Sequence, residues 1–166
     1  MKKFTVISLL ALLIAVIAPL WAALSGYFGL KTGAVALICA GLYVANGSKI
    51  ANALKITMGF LAGNFWAWFV MLIMGALGGS MNIHLLLFLT LFVHVIVAVY
   101  IACYFDKIFD LSAWLAGWAV TLTLLGPLQP GEYPAMLLHI GIAMVAGVWL
   151  IGVLITSAHA KLTAPK

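Results

Sequence analysis

Arginine is absent from this 166-residue chain, the acidic residues number three, and the cysteines two. Only 7% of the residues carry charge, whereas 67% are apolar and the mean hydropathy is +1.28. Soluble domains hold about 25% charged and roughly 45–50% apolar residues, so the chain lacks the polar cover that a water-facing surface requires. The same scarcity excludes a nucleic-acid-binding module and a disordered chain. It also argues against a transmembrane barrel, whose strands alternate over about ten residues with a polar lumen face. The composition describes an all-α integral membrane protein whose first partner is the lipid bilayer.

Catalytic groupings are missing as well. The carboxylates Asp106 and Asp110 are expected on one side of the membrane and Glu132 on the other, so the three do not form one acid–base pair. There is no GxSxG context, no phosphate-cradling glycine loop and no HExxH. The histidines His84, His94, His139 and His159 show no metal-site spacing, and Cys39 and Cys103 lack any CxxC partner and read as buried thiols. Neither catalysis nor a metal or cofactor is expected.

What is present is a series of apolar stretches, over residues 4–24, 32–45, 56–77, 84–105, 111–125 and 135–158. In the bilayer a backbone must satisfy its own hydrogen bonds, so each stretch reads as a helix and the whole as a six-helix transmembrane bundle. Six crossings put Lys2, Lys3, Lys49, Lys55, Lys107, Lys161 and Lys166 on one face and Lys31 alone on the other. Lysine-rich faces are cytoplasmic, which places both termini inside. The second and fifth stretches are short and admit a re-entrant reading, but that reading divides the lysines four to four and leaves the asymmetry unused. Met1-Lys2-Lys3 before an apolar run also describes a secretory signal, with Pro19 as the break before a small-x-small site at Ala23 to Ser25. The run of about twenty residues exceeds the roughly 7–15 of a signal core, so retention of the first helix is expected.

Trp21 is followed by Gly29-Leu30, a short Gly/Ala-rich helix ending at Tyr43, a Gly/Ser-and-Lys loop, and then Gly63 and Trp66. The segment from Leu111 through Gly117 to the Gly126-Pro127 break and a glycine-rich last helix continues the pattern. This layout resembles the YcdZ-like family of small bacterial inner-membrane proteins, a domain of unknown function. The resemblance implies a bacterial inner-membrane address and a retained first helix, and it brings no active-site residues.

Polar side chains at mid-membrane are costly and mark cavities or helix contacts. Asn64 and His94 lie near the centres of their helices, and His139 lies about a turn below the outer surface. These three are the pore or solute candidates; for each the alternative is a structural hydrogen bond within the bundle. Gly59 and Gly63 form a GxxxG pattern, and Ala143 and Gly147 continue a small-residue stripe from Ala135 and His139, so these four are assigned to helix packing. Tyr27, Tyr100, Tyr104 and Tyr133 are placed as interfacial anchors and Trp66, Trp68, Trp118 and Trp149 as deeper fillers. The proline-rich segment Gly126 to Pro134 reads as a rigid outer turn holding Gln129 and Glu132 over a vestibule or merely joining two helices.

Helix lengths run long, short, long and again long, short, long, joined at Gly78-Gly79-Ser80. Odd-numbered halves have opposite membrane orientation, the arrangement of inverted-repeat transporters. Two functions follow as expectations: a channel or facilitator for a small polar solute, working as a homo-oligomer, or a noncatalytic accessory or scaffold subunit.

Overall fold

The computed structural model describes residues 3–163, with side chains from residue 7 onward; Lys2 and Lys166 of the lysine pattern lie outside the described residues. All regular elements within that range are helical. They are α1 (Lys3–Ser25), α2 (Val35–Ala45), α3 (Ile50–Leu77), α4 (Ile83–Tyr104), α5 (Leu111–Leu125) and α6 (Tyr133–Ala146), the last continuing through a π-helical segment (Gly147–Val153) into α7 (Leu154–Thr163). Four stretches, Ile7–Phe28, Ile50–Leu77, Ile83–Tyr104 and Pro130–Thr163, are long and apolar enough to cross a membrane. The two short helices are α2 and α5, of 11 and 15 residues.

Boundaries differ from the apolar runs at α2, which starts at Val35 rather than residue 32 after a turn, at α3 and at the last helix, and Pro19 does not break α1. α1 passes through Pro19 to Ser25 without ending there; a membrane helix tolerates the lost donor because neighbouring groups re-satisfy the freed carbonyl. α3 starts at Ile50 rather than residue 56, since Asn52 and Lys55 end the hydrophobic run but contain nothing that breaks a helix. The last helix spans Tyr133 to Thr163 and includes a π segment, which apolar periodicity does not reveal. Local caps follow the sequence. Asp110 Oδ1 accepts from the Ala113 N–H at 2.9 Å to start α5, and Asn82 Oδ1 accepts from His84 and Leu85 at 3.0 and 3.3 Å to start α4.

The chain divides into two compact units. Unit 1 comprises the chain through Ala53 together with the chain from Ile142 onward, and unit 2 is Leu54–Gly141. In unit 2, α3 lies directly on α5. A Cβ at Gly59 would stand 2.5 Å from the Asp110 carbonyl oxygen and 3.0 Å from Ala113, and one at Gly63 would strike the Trp114 carbonyl and lie 2.6 Å from the Trp118 nitrogen. Gly117 reciprocates: its Cβ would be 2.6 Å from the Phe60 carbonyl oxygen. Only hydrogens allow these backbones to come so close. Because the contact advances in the same sense along both chains, α3 and α5 are parallel. Ala67 and Val70 with Trp118, and Ala98 and Ala102 with Trp114, fill the apolar clusters of this unit.

Unit 1 repeats the device. A Cβ at Gly147 would collide with the Ala36 carbonyl and lie 2.8 Å from the Cys39 Cβ, and one at Gly152 would meet the Tyr43 ring at 2.7 Å. The π segment and α2 are therefore also parallel. Ala18 of α1, Ala36 and Ala40 of α2, and Ile151 and Ile155 of the last helix form its buried cluster. Trp21 Nε1 donates to the Gly33 carbonyl at 3.0 Å and ties α1 to the turn before α2.

Most large apolar side chains that point away from these clusters are exposed, among them Leu12, Phe65, Phe88 and Leu138 at 55–62%. This apolar exterior suits lipid and not water. Cys39 is buried as expected, whereas Cys103 is exposed on α4. It occupies the outward side of a helix whose inward side carries Ala98 and Ala102. Tyr27, Tyr100 and Tyr104 are exposed at 74–87%, but Tyr133 is buried.

Candidate functional site

Asn64 is 8% exposed and occupied at both ends of its amide. Its Nδ2 donates to the Leu137 carbonyl of α6 at 3.0 Å, and its Oδ1 accepts from Thr121 Oγ1 of α5 at 3.0 Å. Thr121 is fully buried. The geometry follows from the helix itself: Gly63 turns its bare side to α5, and the next residue, about 100° round the axis, reaches the gap where α6 arrives. Gly141 keeps that gap open, since a Cβ there would lie 3.3 Å from Asn64 Nδ2.

His94 is also 8% exposed. Its Nδ1 is 2.7 Å from the Thr90 carbonyl oxygen one turn back. A carbonyl only accepts, so Nδ1 carries the proton and Nε2 is the acceptor of the neutral ring. Aromatic rings surround the imidazole: Trp66 edge-on at 5.4 Å, Phe69 at 5.9 Å and Trp118 at 6.5 Å between centroids. Trp66 Nε1 donates to the His94 carbonyl at 3.2 Å, so α3 grips the backbone of α4 at this residue. The side-chain bond stays within α4, and the neighbouring helix bonds the backbone instead.

His139 is half-buried on α6, and its Nδ1 is buried without a hydrogen-bond partner. Of its stripe, Ala143 is fully buried and Gly147 meets α2, while Ala135 is exposed, so the row does not form one continuous lining. Asn64, His94 and His139 each have separate surroundings, and none of them lines the cavity that unit 1 holds among α1, α2 and the last helix. Glu132 turns back on its own loop, where Oε2 accepts from the Gln129 N–H at 3.0 Å. Its carboxylate thus stabilises the turn that begins α6 and is not held out over a vestibule.

Several residues of this region escape sequence reasoning. Trp114, which the sequence pattern does not single out, is 3% exposed, and Trp118, expected as a deep filler, is 4% exposed; both have indole N–H groups without a partner. Thr121 and Gly117 acquire meaning only as the surfaces that Asn64 and Gly63 meet. The spacing Gly117 to Thr121, one turn on one face of α5, was the available signal. Among the described residues no group of three metal-binding side chains occurs.

A family described as a protein of unknown function, DUF1097, matches residues 11–160. The chain belongs to this family. The match runs from the first third of α1 to near the end of α7, so both units are part of what the family shares. No curated protein and no solved structure matches the chain.

Proposed function

We propose that this DUF1097 member is a six-crossing protein of the bacterial inner membrane, of the YcdZ-like kind, that facilitates passage of a small neutral polar solute. The observation that carries the reading is how each short helix is paired. In unit 1, α2 packs on the part of the last helix from Ile142 onward, through Gly147 and Gly152; in unit 2, α5 packs on α3 through Gly59 and Gly63. Each short helix therefore lies parallel to the third helix of the other half of the chain. The same pairing in both halves accompanies the repeated order of helix lengths and supports an inverted three-helix repeat, which is a transporter architecture.

Helix direction supports the crossing number. Alternating crossings make α2 parallel to the last helix and α3 parallel to α5, as their glycine contacts are. If α2 crossed and α5 turned back, α2 and the last helix would be antiparallel. The parallel contact thus fits crossing by both short helices, and the lysine asymmetry supports the same arrangement with both termini cytoplasmic. A reporter fused after either terminus or at Lys107 should read cytoplasmic, and one within Gly126 to Pro134 external.

Within this reading His94 is the better solute contact, because its Nε2 remains an acceptor while Asn64 already has partners at both ends of its amide. The protein reconstituted in vesicles should speed osmotic equilibration of at least one member of a panel of urea, acetamide, glycerol and ammonia. His94→Gln should slow it at a temperature where the variant is still fully folded, with the rate compared per folded molecule. Rates equal to those of protein-free vesicles across the panel would refute a facilitator. The second reading, a noncatalytic accessory subunit or homo-oligomeric scaffold, is favoured by that same engagement of Asn64, which suits a structural tie between helices. A stable copurifying partner would support it.

A further inference from the structure

We propose that unit 1 holds a site for one acyl chain of an anionic phospholipid, with the headgroup at the end marked by Ser48 and His159. A cavity of about 580 Å³ lies among α1, α2 and the last helix, within the roughly 300–1,000 Å³ of small-molecule sites. From α1 it takes Leu10, Ile14 and Ala18, one residue per turn along one face. Ala40 and Ile151 line it in the buried cluster with Ala18, whereas Ser48, Thr156 and His159 occur toward the end where α2 has finished and α7 is near its terminus. The lining is thus apolar along its length and polar at one end, the profile of an amphiphile.

Two features of the wall shape the cavity. Gly41 lines the cavity from the middle of α2, and a Cβ there would meet nothing within 4 Å. A glycine inside a helix is disfavoured relative to alanine, and here the missing side chain adds room to the cavity that Gly41 lines. Opposite, Ile151 and Gly152 belong to the π segment, a wider helix turn that is found chiefly at functional sites. The occupant's charge follows from the lysines. Lys49 and Lys161 adjoin the lining residues Ser48 and Ala160 at the polar end, and both are exposed. Basic clefts between membrane helices on the cytoplasmic side recognise anionic headgroups. The assignment to the cytoplasmic leaflet rests on the six-crossing reading; the site itself does not.

The test is native mass spectrometry of the full chain in detergent with added dioleoyl phosphatidylglycerol, dioleoyl phosphatidylcholine or free oleate. Detergent removes sidedness and needs no solute flux, so a failure here is separate from a failure of the facilitator. One phosphatidylglycerol should bind at roughly thirtyfold lower concentration than phosphatidylcholine, the preference expected of two lysines near an anionic surface. Gly41→Leu should weaken phosphatidylglycerol at least tenfold, and Lys49→Gln with Lys161→Gln should abolish the preference while leaving chain binding. Should Gly41→Leu fail to fold, Gly41→Ala, with its single added carbon, supplies a smaller loss in the same direction. Undiminished binding to both Gly41 variants, no headgroup preference, or oleate binding tighter than phosphatidylglycerol would overturn the proposal.

Discussion

Gly63→Ala and Gly75→Ala place the same methyl group on the same helix, and the structure assigns them opposite signs. At Gly63 the added carbon meets three backbone atoms of α5, the nearest of them the Trp114 carbonyl oxygen, with the Trp118 nitrogen at 2.6 Å and the Gly117 carbonyl carbon at 3.0 Å. No rotamer change relieves a clash with backbone, so α3 and α5 must separate. Overpacking of this kind costs about 1–3 kcal/mol, and three close backbone contacts argue for the upper end. Against it stands the helix preference of Ala over Gly, about 1 kcal/mol, leaving a net loss of about 2 kcal/mol. At Gly75 nothing lies within 4 Å, so the preference acts alone and the variant gains up to about 1 kcal/mol. For a chain of this length 1 kcal/mol shifts the melting temperature by about 2–4 °C. The expected shifts are therefore about 4–8 °C downward and about 2–4 °C upward. Thermal unfolding of the two variants in one mild detergent, followed by loss of the monodisperse elution peak, measures both. Shifts of the same sign would refute the claim that the bare face of Gly63 sets the α3–α5 distance.

Asn64→Leu should destabilise unit 2, and Thr121→Val should lower the additional cost, because the two side chains share one hydrogen bond of 3.0 Å. Their coupling in a double-mutant cycle should be about 0.6–1.7 kcal/mol, the range of such bonds in membrane bundles; strict additivity would deny the bond. Thr32→Val should be neutral or stabilising by about 1 kcal/mol, since the buried Thr32 hydroxyl has no partner and valine matches its shape; a clear loss in a melting scan would show that the hydroxyl is satisfied. Tyr43→Phe should cost about 1 kcal/mol through the lost 2.9 Å bond to the Ser48 carbonyl, read as a lower melting temperature with lysine topology unchanged. Glu132→Gln should have little effect on solute flux, because its carboxylate caps a turn; a large change in rate with an unchanged melting temperature would return it to the pathway.

The membrane class, the number of helices and the two short elements are legible in the amino-acid order because lipid imposes one rule on the whole chain. Twenty or so apolar residues must satisfy their own backbone, and lysines must remain where water is. The caps at Asn82 and Asp110 are equally local, each made by a side chain within three residues of the donor it serves. GxxxG at Gly59 and Gly63 announces a close helix neighbour without naming it, since any helix with a small-residue face satisfies it. That the neighbour is α5 and that Gly147 and Gly152 take α2 are decided by which surfaces fit when all the helices are present. The same holds for Asn64: its depth is written in the chain, but the partners that occupy its amide come from Thr121 and Leu137, dozens of residues away. Hydropathy is a property of each segment alone, whereas contact between segments depends on the shapes of two surfaces at once, and only the folded arrangement brings those surfaces together.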